Sequence, residues 1–127
     1  MSKTIVISKG TEFYRIPADR LVYAKEERNY STVVTQDNRE TVVSLQLGQI
    51  EDLIDNQLGD AGSNFVRLGR GLLINTDFIF SIDTSLQRIV LSDCHGCYHD
   101  LSASREVLVK FKAYMEANDN ENGETSE

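Results

Sequence analysis

Apolar and polar residues alternate with a period of two in one short run after another. TIVIS (4–8), EFYRI (12–16), LVYAK (21–25) and YSTVVT (30–35) carry this pattern, rich in β-branched and aromatic residues. A pleated strand sends successive side chains to opposite faces, so the period is that of strands. Lys9-Gly10 turns the first run into the second, and Pro17 ends or bends it. EERN (26–29) interrupts the pattern, and QDNR (36–39) is a turn by composition, since Asp and Asn bond their own backbone. ETVVS (40–44) pairs back, so 21–44 is expected to form two hairpins sharing a middle strand.

The period changes once in mid-chain. Leu45, Ile50, Leu53, Ile54 and Leu58 stand near helical spacing, with Glu51, Asp52 and Asp55 on the other face. Ser44 is a candidate N-cap and Gly59 the stop, followed by loop over 60–64. Strands return at 65–68 and 72–75 around Gly69-Arg70-Gly71, at 78–83 and 87–92 around TSL, and at 98–101. Val107, Leu108, Phe111, Tyr114 and Met115 mark a last helix near 103–116, capped by Ser102 or Ser104. The fold class is therefore mostly β with two helices, in one domain over 1–115.

Twenty acidic residues against 13 basic give a net charge of −7. Five of the acids, Glu116, Asp119, Glu121, Glu124 and Glu127, lie in 116–127, which has no Lys or Arg. Without them 13 basic residues face 15 acidic ones. The 116–127 tail lacks aromatic and large aliphatic residues and is expected to be disordered and solubilising. No apolar run approaches membrane length, and the opening apolar stretch is too short for a signal peptide. A cytoplasmic protein with reduced cysteines is expected, without direct membrane insertion.

LSDCHGCYHD (91–100) gathers both cysteines and both histidines of the chain, Cys94, His95, Cys97 and His99. They offer four zinc-type ligands, but structural zinc sites draw pairs from separate segments, and here all lie in one. A redox C-x-x-C opens a helix, whereas this one sits between strand-like runs with Gly96 suited to positive φ. A hairpin turn is the expectation, with neither metal nor cofactor. None of the nucleophile-elbow, phosphate-loop, dinucleotide or zinc-protease motifs is present, so an enzyme is not expected.

FVRLGRGLLINTDFIFSI (65–82) resembles the heart of the LytTR DNA-binding domain family. Phe65, Arg67, Arg70, Leu73, Asn75, Ile79 and Ile82 stand at matching places. IPADRLVYAKEERNYSTVV (16–34) is similar to the family's opening strand and loop. SLQLGQIEDLI (44–54) is similar to its central helix, and LSDCHGCYHDLSASREVLVKF (91–111) to its closing hairpin and last helix. The likeness spans about residues 14 to 115. It implies elongated small antiparallel β-sheets with a short central and a C-terminal helix. It also implies a sequence-specific transcriptional regulator that puts strand-end loops into successive major grooves of duplex DNA.

The same resemblance assigns contacts. Arg70, on a tight turn, would read guanine bidentately or clamp a phosphate. Arg105 opens the last helix, where free N–H groups add to its charge. Tyr30, with Arg28 and Asn29, occupies the first contact loop, and Arg67 points from its strand to serve the phosphate backbone instead of a base. Asn75 closes a turn. Each has a plainer reading: Arg28 and Arg67 as solvated strand-end charges, Tyr30 as a half-buried strand residue, Arg105 paired with Glu106 or Asp100. The chain departs from the family at Gly69-Arg70-Gly71, where histidine-arginine-serine is usual, and at Glu26 and Glu27, which would repel phosphates. These departures, with the acidic pI, support an alternative: an interaction module that kept the fold and lost DNA binding. A metal-responsive regulator using residues 94–99 is a third. Binding as two copies on repeated sites is implied. The domain begins almost at the first residue, so control is expected from abundance, a partner, or a separate membrane or signalling protein rather than an attached receiver domain.

Overall fold

The alternating runs pair with their neighbours in chain order. The computed structural model describes residues 3–93 and 96–122, with side chains through 119. β1 (Thr4–Lys9) and β2 (Glu12–Pro17) form a two-stranded hairpin closed by Gly10 at φ 58°. β3 (Leu21–Glu27), β4 (Tyr30–Thr35) and β5 (Glu40–Val43) form a meander, followed by α1 (Leu47–Leu58). The hairpin of β6 (Phe65–Leu68) and β7 (Leu72–Asn75) adds to it through β7 against β3, giving an antiparallel sheet of order β5-β4-β3-β7-β6. β8 (Ile79–Asp83), β9 (Arg88–Ser92) and β10 (Tyr98–Ser102) make a third antiparallel sheet, and α2 (Arg105–Asn122) ends the described chain.

The five-stranded sheet separates two cores. Leu21, Ala24, Val33 and Leu73 bury one face with Ile5, Ile7 and Ile16 of the hairpin and Leu47, Ile50 and Ile54 of α1. Val22, Leu68, Leu72 and Ile74 bury the other with Ile89 and Leu91 of β9 and Leu108 and Phe111 of α2. β7 lies between the two cores and is buried at all four positions. Leu73 and Ile74, adjacent in sequence, therefore serve opposite cores; truncating either to Ala would cost about 2–5 kcal/mol.

Two helix-end expectations change. α1 is capped at Gln46, not Ser44: the Gln46 N–H donates to Gln49 Oε1 at 2.9 Å. The Ser44 carbonyl is instead taken by Lys9 Nζ at 2.7 Å. The free Leu47 N–H donates to Glu26 Oε1 at 2.9 Å, placing a carboxylate where the helix end is positive. Of the two caps suggested for α2, Ser104 is used, its hydroxyl accepting from Val107 N at 3.2 Å. α2 continues to Asn122, past the expected end at 116, so 116–122 of the acidic stretch is helical. Lys112 Nζ pairs with Glu116 Oε2 one turn on, within this helix. Residues 123–127 of the expected tail lie outside the described residues.

Candidate nucleic-acid interface

Sheet register gathers turns that are far apart in sequence. Lys25 of β3 pairs with Leu72 of β7, and the Glu26 N–H donates to the Gly71 carbonyl at 3.0 Å. The β3–β4 turn at 28–29 therefore lies at the same sheet end as the β6–β7 turn at 69–71. Gly69, at φ 63°, leans on α2: a Cβ there would stand 3.9 Å from Val107 Cγ2. That brings the first turn of α2, which opens with Arg105, against the same end. Arg28, Asn29, Tyr30, Arg70 and Arg105 are all exposed.

Arg70 and Arg105 thus ride on touching elements. Neither side chain has a hydrogen bond or ion pair with any described residue, so Arg105 is not held by Glu106 or Asp100. A guanidinium held out this way keeps its donors for a ligand. Arg28 occupies the first central position of a two-residue hairpin, because Glu27 pairs directly with Tyr30. Its φ is 59°, a region that disfavours side chains other than glycine. Tyr30 Oη donates to Glu27 Oε1 at 3.3 Å.

Arg67 is engaged within the protein. Its Nη1 meets Glu51 Oε1 of α1 at 2.7 Å, and its Nη2 donates to the Arg70 carbonyl at 2.8 Å. The guanidinium braces the very turn that presents Arg70. Asn75 closes a turn, as read from sequence: fully buried, it accepts from Asp77 N and Asn64 Nδ2 and donates to the Leu21 carbonyl. Of the two carboxylates suspected of repelling phosphates, Glu26 is half-buried and turned to the start of α1. Spacing gave no sign of this, since the partner lies 21 residues away.

The cysteine-histidine stretch connects β9 to β10. Tyr98 pairs with Ser92, the Asp93 N–H donates to the Cys97 carbonyl at 3.3 Å, and the Cys97 N–H to Asp93 Oδ1 at 3.1 Å. Gly96 has φ 110°. His99 is buried with its ring edge-on to Tyr23. Cys94 and His95 lie outside the described residues. Among the described residues no three His, Cys, Asp or Glu side chains converge as metal ligands.

The family model of the LytTr DNA-binding domain matches residues 11–116. Among solved structures the chain is similar to a LytTr DNA-binding domain from Bacillus cereus, described as part of a putative methyl-accepting/DNA response regulator. The TM-score is 0.60, at 15% identity, over 89% of this chain and 96% of that one. At that identity the likeness is one of fold. No curated protein sequence gives a significant match.

Proposed function

The chain belongs to the LytTR DNA-binding domain family, and from that premise we propose that it is a sequence-specific, duplex-DNA-binding regulator of transcription. The observation that carries the reading is the gathering of Arg28, Arg70 and Arg105, exposed, at one end of the five-stranded sheet. Arg70, on a tight turn between β6 and the fully buried β7, enters a major groove and reads guanine O6 and N7, or clamps a phosphate. Arg105 joins the free N–H groups of the α2 start against the backbone. Asn29 and Tyr30, beside Arg28, meet the adjacent groove. Arg67 acts one step back, through the Arg70 turn.

The net charge of −7 does not forbid this. Screening at physiological salt acts over about 8 Å, whereas β3 alone extends roughly 20 Å away from the turns. Local cations decide, and the Glu26 carboxylate is taken up by the Leu47 N–H at the start of α1. Two copies bind repeated sites and bend the duplex so that several turns engage. The protein works in the cytoplasm as a bacterial-type regulator and answers to a partner or signalling protein. The rival reading, an interaction module without DNA binding, keeps Glu27 and the acidic balance in its favour.

Enrichment from a random duplex pool separates the two. The wild-type protein should select a repeated sequence, and Arg70→Ala should lose it. Failure of the wild type to enrich any duplex refutes the DNA reading.

A further inference from the structure

At the other end of the sheet, a groove of about 820 Å³ lies between β2 and β5. Among the described residues, each wall is a strand edge without a sheet partner: β5 is the last strand of its sheet, and β2 pairs only with β1. The side-chain amide of Gln57 accepts from Val6 N at 2.7 Å and donates to Val6 O at 2.8 Å, so Val6 turns its backbone away from β2. In an antiparallel ladder its partner Arg15 then turns its own N–H and C=O away from β1, toward the groove. The Val42 carbonyl accepts from Tyr14 Oη across the groove at 3.4 Å, at the weak limit of a hydrogen bond. Val42 and, two residues earlier, Glu40 therefore point their backbone groups into the same space.

Charge marks the groove as well. Arg15, Arg20 and Arg39 line it. Of the two carboxylates there, Asp37 is folded into its own turn. Its Oδ1 accepts from the Thr35 hydroxyl at 2.7 Å, which holds the carboxyl below the usual aspartate range. The apolar side chain of Val42 is 53% exposed on the groove wall. Unpaired backbone donors and acceptors, an apolar side chain and surplus guanidinium charge together are the requirements of an extended acidic peptide.

We propose that the groove between β2 and β5 is a docking site for an extended, acidic segment of a partner protein, which adds to β5 as a further strand. Its residues bond the Glu40 and Val42 backbones, displace Tyr14 Oη from the Val42 carbonyl, and set carboxylates against Arg15, Arg20 and Arg39. Because β3 and β4 run the length of the sheet between the groove and the 28–29 turn, a docked segment leaves the DNA-facing end free. The site is independent of the DNA reading and stands or falls without it.

The test titrates the full-length, isotope-labelled protein, without DNA, with three capped octapeptides of alternating valine and a charged residue. One carries glutamate, one lysine, and one is the glutamate peptide N-methylated at alternate residues. The glutamate peptide should shift the amides of Glu40, Val42 and Arg15 and slow their hydrogen exchange. It should bind at least about tenfold more tightly than the lysine peptide, a difference of about 1.4 kcal/mol. N-methylation should abolish binding by removing the ladder donors. Arg15→Glu/Arg39→Glu, which leaves both hairpins intact, should invert the preference for charge. Tyr14→Phe should bind as well as wild type or better. No binding at millimolar glutamate peptide, equal binding of the N-methylated form, or shifts confined to the 28–29 and 69–71 turns each overturns the proposal.

Discussion

Replacing Arg67 by Met should loosen the Arg70 turn without removing a DNA-binding group. The guanidinium makes one ion pair, to Glu51, with side-chain exposures of 27% and 38%. Solvent screens such a pair to about 0.5–1 kcal/mol. The bond to the Arg70 carbonyl adds about 1 kcal/mol. Loss of the buried, unpartnered Nε offsets part of this, and methionine retains most of the stem packing. The net cost is about 1–2 kcal/mol, or roughly 4–8 °C in Tm for a domain of this size. DNA affinity should fall a few-fold, because the turn that carries Arg70 is less well held. The dependence of log K on log salt should keep its slope, since every group that touches phosphate remains. Arg70→Ala should weaken binding by about 1–3 kcal/mol and leave stability within about 0.5 kcal/mol. In the double variant the two effects on binding should not add, because the brace has nothing left to position. Calorimetry and fluorescence anisotropy at several salt concentrations provide the data. A slope reduced by about 0.9 in Arg67→Met, with full additivity to Arg70→Ala, would show that Arg67 touches phosphate directly and refute the brace.

Arg28→Gly relieves a positive φ while deleting a cation; stability should stay the same or rise by up to about 1 kcal/mol, and DNA affinity should fall. Asn75→Ala removes three hydrogen bonds of a fully buried side chain, leaving the buried Leu21 carbonyl without its partner, and should cost roughly 3 kcal/mol by urea denaturation, with DNA affinity of the folded protein nearly unchanged. Asp37 and Asp83 are both lowered, chiefly by the Thr35 hydroxyl and the Leu86 N–H respectively. Groups with depressed folded values stabilise fully above their unfolded pKa of about 3.9 and lose that effect as pH falls through the folded value. Tm should therefore drop as pH falls below about 4, less steeply in Asp37→Asn/Asp83→Asn.

Local pattern made much of this fold legible. Period-two runs announced the strands, Gly59 the end of α1, and Ser104 one of two caps for α2. The cap of α1 was not legible: Ser44 has the better propensity, but Gln46 with Gln49, and Glu26 from β3, reach the free N–H groups first. The end of α2 was misplaced because the acidic, apolar-poor composition of 116–127 reads as a disordered tail, whereas the helix runs on to Asn122. Arg28, Arg70 and Arg105 were each visible singly; their gathering depends on β7 pairing with β3 and on Gly69 meeting Val107, long-range proximities that no local spacing encodes. The groove is likewise non-local, bounded by strands that share no ladder.

If three arginines at one sheet end hold DNA against the acidic balance of the whole, the salt dependence of binding must carry their signature. Salt titration of binding to an enriched duplex, for the wild type and for Arg28→Ala/Arg70→Ala/Arg105→Ala, examines this most directly. Removing one arginine–phosphate interaction should flatten the log–log slope by about 0.9, so the triple variant should give up roughly 2–3 units of slope together with its sequence preference. A triple variant that keeps the wild-type slope and preference contradicts the role assigned to these arginines.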